Sequence, residues 1–129
     1  QKIFFTKIKY SSTVQNTLTK KGLTKLKSPF VLVTGIADPT PLVSHLNSLG
    51  LDFIHLSFSD HHQFTTQDIK KLKRVQGGGD ILTTEKDYTR LHPVLKDENL
   101  FYLPIDMAFL DAAMEQEFKA YLTEKIKLN

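Results

Sequence analysis

The sequence contains no cysteine. This absence excludes a disulfide-bonded secreted scaffold and any zinc or iron–sulfur centre with cysteine ligands, and it is typical of a reducing, cytosolic compartment. No apolar run approaches the ~20 residues that cross a bilayer, and the start has no apolar signal-peptide core. Methionine is scarce as well, because the chain begins at Gln1 and has methionine only at Met107 and Met114. The sequence therefore predicts a fragment of a longer cytosolic protein.

Several functional motifs are also missing. The chain has no Walker-type phosphate loop, no Gly-x-Ser-x-Gly nucleophile elbow and no zinc finger. It has no basic strand interleaved with aromatic residues, so nothing favours nucleic-acid binding. The three glycines at 77–79 precede a predicted strand and lack the Gly-Lys-Ser/Thr ending, so they do not form a phosphate loop.

Apolar residues and lysines are what the chain does have. Leu, Ile, Val and Phe make up about a third of it, which is enough to bury a core. The net charge of +3 is unevenly distributed, since residues 1–30 contain seven lysines and no acid, whereas residues 31–69 contain four acids and no base. A basic arm beside a near-neutral body favours phosphates or an anionic lipid surface, and a solvated strand and loop is the alternative.

The apolar pattern predicts an α/β fold. Residues 1–10 alternate as a strand and residues 11–28 form a polar connection or hairpin, so we expect a basic β linker arm over 1–28 and an α/β domain over 29–129. In that domain strands alternate with helices, which is typical of a mostly parallel sheet with helices on both faces. The predicted strands are 30–34, 53–58, 80–84 and 100–105, and the predicted helices begin at Pro39 after Asp38, after Thr65 or Thr66, at Lys86 (ending at Leu91) and at Leu110 (ending at Lys127).

Three polar loops follow predicted strands, at residues 34–39, 57–62 and 83–87. The carboxyl ends of parallel strands lie at one edge of a sheet, and ligands of open α/β sheets gather beyond that edge. The sequence therefore predicts a site where the three loops emerge together.

Asp60, His61 and His62 form the densest cluster of chemically active side chains. A carboxylate beside an imidazole can set its tautomer and raise its basicity, which suits general-base or orienting work. A metal site that includes His55 is a second interpretation, although adjacent residues on one loop rarely all point at one ion. A turn capped by Asp60, with an exposed histidine, is the third.

Glu85, Lys86 and Asp87 follow a predicted strand. They can hold an internal ion pair or contact a phosphate. The interpretation that we favour from the residues alone is that the two acids cap the following helix and that Lys86 lies in water.

Four segments taken together resemble a known family: 34–39 (TGIADP), 58–62 (FSDHH) with Phe64-Thr65 and Asp68-Ile69, 81–87 (ILTTEKD) and 102–105 (YLPI). In this order and spacing they resemble the C-terminal half of the tetraacyldisaccharide 4'-kinases, the lipid A 4'-kinases of Gram-negative bacteria. Phe4-Phe-Thr6 and Tyr10 resemble the strand that links the two halves of that family. The chain departs from the family pattern at Asp38, where asparagine is usual, and at Arg90, where lysine is usual.

The resemblance implies transfer of the ATP γ-phosphate to the 4'-hydroxyl of a tetraacyldisaccharide 1-phosphate, with Mg²⁺, in the full-length protein. It implies that the phosphate loop, the metal ligands and the principal catalytic carboxylate belong to an N-terminal P-loop domain that is missing here. We therefore expect this chain to be inactive alone, to bind no cofactor tightly and to supply no metal ligand. His61 matches the histidine that reaches toward the catalytic carboxylate, and Asp60 supports it. The candidates for cleft or structural roles are Gly35, Asp38, Thr84, Glu85, Lys86 and Asp87.

The resemblance also implies a location at the cytoplasmic face of the inner membrane, a lipid A disaccharide precursor as substrate, and an anionic membrane surface within reach of the basic arm. Two other functions stay open from the residues. One is a metal-dependent phosphoesterase that uses Asp60, His61 and His62. The other is a non-catalytic α/β binding module whose polar loops are only caps and turns.

Overall fold

The structure is a computed structural model that describes residues 6–109 and 119–120. The chain forms two compact units, one of residues 11–104 and one of residues 1–10 together with 105–129. The elements in chain order are β1 (Thr6–Tyr10), β2 (Thr13–Gln15), β3 (Lys20–Gly22), a 3₁₀ helix (Leu23–Lys25), β4 (Phe30–Thr34), α1 (Thr40–Ser48), β5 (Phe53–Ser57), α2 (Thr66–Gln76), β6 (Ile81–Thr84), α3 (Glu85–Leu95), β7 (Leu100–Leu103) and β8 (Ile105–Phe109).

The larger unit is built on a six-stranded sheet of order β3-β2-β7-β6-β4-β5. The pairs β4–β5, β4–β6 and β6–β7 are parallel, and β2 pairs antiparallel with both β3 and β7. All five residues of β4 are buried, as expected of a central strand without polar alternation. The predicted α/β fold is confirmed, as a mixed sheet with helices.

Helices α2 and α3 pack on one face of the sheet through a single apolar cluster. In the sheet, β5 lies on one side of β4, whereas β6 and β7 lie on the other side. Because the crossovers are right-handed, α1 lies on the face opposite α2 and α3. In the described residues no helix is long and apolar enough to span a membrane. The buried members of the cluster under α2 and α3 are Val31, Val33, Leu72, Ile81, Tyr88, Leu91, Leu95 and Leu100.

Residues 11–28 are part of this sheet, so the expectation of a linker arm over 1–28 is corrected. The β2-β3 hairpin adds to the edge of β7, Val14 is fully buried, and the Asn16 side chain accepts the backbone N–H groups of the turn. The compact units accordingly divide the chain after residues 10 and 104 and not after 28. The strands here are three residues long and rich in Lys, Thr and Gln, so they carry little apolar signal.

Other predicted boundaries differ as well. Helix α1 begins at Thr40 and not at Pro39. Helix α3 runs to Leu95 and contains Pro93, four residues beyond the predicted end. The predicted strand 100–105 is interrupted at Pro104, so that residues 105–109 pair with β1 in the smaller unit. The predicted last helix, 110–127, lies outside the described residues except for 119–120, which are helical.

Candidate functional site

The three polar loops meet at one edge of the sheet because the strands before them are adjacent and parallel. Thr34 lies opposite Ser57 in the β4–β5 register. Strands β4 and β6 are parallel as well, so all three strands end at the same edge of the sheet. Phe58 N donates to Thr34 O over 2.7 Å, and His61 N donates to Gly35 O over 3.2 Å. The predicted convergence of these loops is therefore present, and Gly35 is its centre.

Asp87 ties the third loop to the first. Its side chain is completely buried and accepts the Gly35 N–H at 2.8 Å and the Thr84 hydroxyl at 2.8 Å, while Arg90 forms an ion pair with it. A Cβ added to Gly35 would lie 3.2 Å from the Asp87 carboxylate and 3.4 Å from the Ser59 carbonyl oxygen. A side chain at residue 35 would therefore push on the Asp87 carboxylate and on Ser59.

This geometry corrects the expectation that the acids at 85 and 87 cap the helix. The Thr84 hydroxyl is the cap, since it accepts the Asp87 N–H at 3.0 Å, whereas the Asp87 carboxylate faces inward. Glu85 is exposed in the first turn, where negative charge is favourable beside the helix dipole. Arg90 was not among the predicted site residues, although an acid and a base three residues apart on a helix were a usable signal.

Asp60 lies between His61 and Lys86. Its two carboxylate oxygens are 3.5 Å from His61 Nε2 and 3.6 Å from Lys86 Nζ, which joins the second loop to the third. The His61 side chain is 71% exposed, and its backbone has a φ of 60°, in the left-handed region. The imidazole therefore has a carboxylate beside it and is accessible from outside, and Lys86 has the same carboxylate as a neighbour.

His62 points elsewhere. Its Nε2 lies 2.7 Å from Asp68 Oδ2, and its ring stacks on Phe58 with centroids 4.6 Å apart. The backbone N–H of Thr65, followed by the contact with His62, holds the pKa of the Asp68 carboxyl below its usual value. His62 therefore packs against the start of α2 and does not join His61.

His55 is also separate from His61. Its Nε2 lies 2.8 Å from the Thr34 hydroxyl, and partial burial lowers the pKa of its imidazole. Within residues 6–109 and 119–120, no group of three His, Asp or Glu side chains is arranged to hold a metal ion. The phosphoesterase interpretation needed convergence of Asp60, His61 and His62, and the geometry weighs against it.

Asp38 has a local role at the start of α1. Its carboxylate accepts the Thr40 N–H at 3.0 Å, and the hydrogen bonds from the Thr40 side chain and backbone lower the pKa of this exposed carboxyl. Of the predicted site residues, Gly35, Asp60, His61, Thr84, Lys86 and Asp87 are brought together, whereas Asp38 and Glu85 serve the helices that they begin.

The chain matches known proteins along nearly its whole length. Residues 2–127 match the sequence model of the family described as Tetraacyldisaccharide-1-P 4'-kinase. A tetraacyldisaccharide 4'-kinase of Flavobacterium johnsoniae is 35% identical over 100% of this chain and 37% of its own length. One of Phocaeicola vulgatus is 36% identical over 100% of this chain and 39% of its own length. The chain thus spans less than two fifths of these relatives.

A solved structure shares the fold. It is a crystal structure of LpxK from Aquifex aeolicus, described as an apo form in complex with ATP, with a TM-score of 0.54 and 19% sequence identity. The likeness covers 88% of this chain and 35% of the other. Because the family model covers nearly all residues and the curated relatives match along the whole chain, this chain belongs to the tetraacyldisaccharide-1-P 4'-kinase family.

Proposed function

We propose that this chain is the part of a tetraacyldisaccharide 4'-kinase that supplies the Asp60–His61 pair to a phosphoryl-transfer site. The full-length protein transfers the ATP γ-phosphate to the 4'-hydroxyl of a tetraacyldisaccharide 1-phosphate. Family membership supports the reaction, and the relatives' greater length supports a division of labour with a further domain.

The observation that carries the proposal is the contact of Asp60 with both His61 and Lys86 at the edge where three loops meet. Phosphoryl transfer depends mainly on positioning and on charge stabilisation. An exposed imidazole held by a carboxylate is suited to orient a catalytic carboxylate that another domain presents. His61 is the residue of the pair that faces outward, since it is 71% exposed and Asp60 is 37% exposed.

ATP and Mg²⁺ do not fit the residues of this chain on their own. The 129 residues contain no phosphate-loop motif, and the part of the chain that the structure describes has no three-group metal cluster. We therefore assign the binding of both to the remainder of the full-length enzyme and expect this chain alone to transfer no phosphate.

Replacing His61 in the full-length enzyme tests the proposal. His61→Ala is expected to lower kcat by ~10- to 100-fold with little change in KM, because an orienting group acts on the transition state more than on substrate binding. His92→Ala is the matched control, since His92 lies in the last turn of α3, where it stacks on Tyr88. Unchanged turnover in His61→Ala would remove His61 from the mechanism.

We also propose that the full-length protein works at the cytoplasmic face of the inner membrane, on a lipid A disaccharide precursor. The exposed lysines Lys20, Lys25 and Lys27 are available to an anionic surface, at about 1 kcal/mol each near the lipid. Lys21 is not, because it pairs with Asp80 at 2.6 Å.

Co-sedimentation with vesicles tests the membrane contact. We expect the full-length protein to bind vesicles that contain phosphatidylglycerol more tightly than vesicles of phosphatidylcholine. The triple change Lys20→Glu, Lys25→Glu and Lys27→Glu should remove most of that difference. Equal binding of the parent and the triple variant would assign the membrane contact to other residues.

A further inference from the structure

We propose that Asp87 and Arg90 form a buried positioning device that holds His61 through the peptide groups of Gly35. This inference rests on the role of His61 proposed above. It assigns to the ion pair a function that is separate from holding α3 on the sheet.

The buried Asp87 carboxylate accepts a hydrogen bond from the backbone N–H of Gly35. Asp87 Oδ2 accepts the Gly35 N–H at 2.8 Å, and the Thr84 hydroxyl donates to the same oxygen at 2.8 Å. Asp87 Oδ1 pairs with Arg90 Nη2, so both oxygens of this fully buried group are engaged. The carboxylate is therefore fixed in place by partners from the end of β6 and from α3.

Arg90 donates a hydrogen bond to the carbonyl oxygen of Gly35. Arg90 Nη2 lies 3.3 Å from Gly35 O, and the same carbonyl oxygen accepts the His61 N–H at 3.2 Å. The Gly35 carbonyl oxygen therefore contacts both the backbone of His61 and Arg90, and Arg90 is the cation that pairs with Asp87. The same nitrogen of Arg90, Nη2, makes the contacts with the Asp87 carboxylate and with the Gly35 carbonyl.

Packing leaves this device little freedom. A Cβ on Gly35 would be 3.2 Å from Asp87 Oδ1 and 3.4 Å from Ser59 O, although the backbone of Gly35 is not in the left-handed region. The loop that carries His61 thus rests directly on the Gly35 segment. A small displacement of Gly35 should move His61, and misplacement of a group by about 1 Å can cost ~100-fold in rate.

A double-mutant cycle in the full-length kinase tests the coupling. Arg90→Met is expected to lower kcat ~10-fold, with KM for the tetraacyldisaccharide 1-phosphate within about twofold. In a His61→Ala background, Arg90→Met should lower kcat by less than about twofold further, because the group that it positions is already gone. Lys73→Met is the control, since it breaks the Lys73–Asp97 ion pair (2.9 Å) outside the site and should leave kcat unchanged.

Two gentler variants keep the test decisive if Arg90→Met folds poorly. Arg90→Lys keeps the charge and, because a single nitrogen makes both contacts, should recover most of the lost turnover, to within about threefold of the parent. Gly35→Ala keeps the ion pair but pushes on it, and should lower kcat in the same direction as Arg90→Met. Independent, multiplicative losses from Arg90→Met and His61→Ala would overturn the inference.

The imidazole resonances separate this inference from the proposed function. In full-length protein labelled at histidine, Arg90→Met should shift the His61 signals and Lys73→Met should not. If His61→Ala leaves turnover unchanged while Arg90→Met still shifts those signals, the proposed function fails and the positioning stands. If the His61 signals stay in place in Arg90→Met, the positioning is wrong.

Discussion

At residue 79, the space for a side chain is already taken by backbone. A Cβ on Gly79 would lie 2.2 Å from Pro29 O and 3.1 Å from Lys27 O, and neither backbone atom can rotate away. On the neighbouring Gly78, the nearest atom to an added Cβ is the flexible Lys27 Nζ, 3.8 Å away. The two adjacent glycines therefore differ sharply in what they tolerate.

Gly79→Ala should reduce the free energy of unfolding by about 3 kcal/mol or more, because the loop before β4 that contains Lys27 and Pro29 must move to admit the methyl group. Gly78→Ala should stay within about 0.5 kcal/mol of the parent. Urea denaturation of both variants measures the difference. Equal stability of the two variants would contradict the packing described at residue 79.

His55 makes stability depend on pH. Burial lowers the pKa of its imidazole, so between the folded pKa and the unfolded value of about 6.5 the unfolded chain binds more protons. Stability from this residue is present above pH ~6.5 and is lost as the pH falls toward the folded pKa. His55→Gln should flatten the decline in unfolding free energy between pH 7 and pH 5, as measured by denaturation at each pH, and an unchanged slope would contradict the prediction.

At the scale of elements, the start of α2 shows a reciprocal cap. The Thr65 hydroxyl accepts the Asp68 N–H at 3.2 Å, and Asp68 Oδ2 accepts the Thr65 N–H at 2.9 Å. Thr66, the other candidate for the cap in the sequence, is the first residue of the helix. The structure thus chooses between two threonines that composition leaves equivalent.

Thr65→Ala should lower the free energy of unfolding by about 1 kcal/mol, because it leaves a helix N–H without its acceptor. Thr66→Ala should be nearly neutral, since alanine is a better helix former at an exposed first position. Thermal and urea denaturation of the matched pair measure the effect. A larger loss of unfolding free energy for Thr66→Ala than for Thr65→Ala would contradict the assignment of the cap to Thr65.

The elements that the sequence predicts well are those with a local signal. The run 30–33 is apolar and lies in a buried strand, and the start of α2 is predicted to within one residue by its two threonines. A hairpin was one of two expectations for residues 11–28, but its place in the sheet was missed because it depends on pairing with β7, which is distant in sequence. Helix α3 was predicted too short, because its packing on β6 and β7 carries it past Pro93.

The candidate site divides in the same way. Parallel strands predict which loops share an edge, and that expectation agrees with the pairing of β4 with β5 and β6. The contact of Asp60 with Lys86 and the inward direction of Asp87 depend on tertiary geometry, which charge patterning does not encode. The roles proposed for His61 and Asp60 stay predictions until turnover is measured.

At the scale of the whole molecule, the separation of the histidines predicts metal content. His62 is paired with Asp68 and His55 with Thr34, so neither joins His61 at one point. The purified chain should contain far less than one Mn²⁺ or Zn²⁺ per molecule by mass spectrometry and should not hydrolyse p-nitrophenyl phosphate. One bound ion per chain, with hydrolysis that Asp60→Asn abolishes, would favour a phosphoesterase.

The pairing of β1 with β8 has a consequence for the order of folding. Tyr10 is paired with Ile105, so this ribbon closes a loop formed by residues 11–104. Closing a flexible loop of about 100 residues costs on the order of 4 kcal/mol in chain entropy. In the larger unit, Ser11 N donates to Pro104 O at 3.0 Å, so folding of that unit alone brings the two ends of this loop together. The β1–β8 pair is therefore expected to form last during folding and to separate first during unfolding.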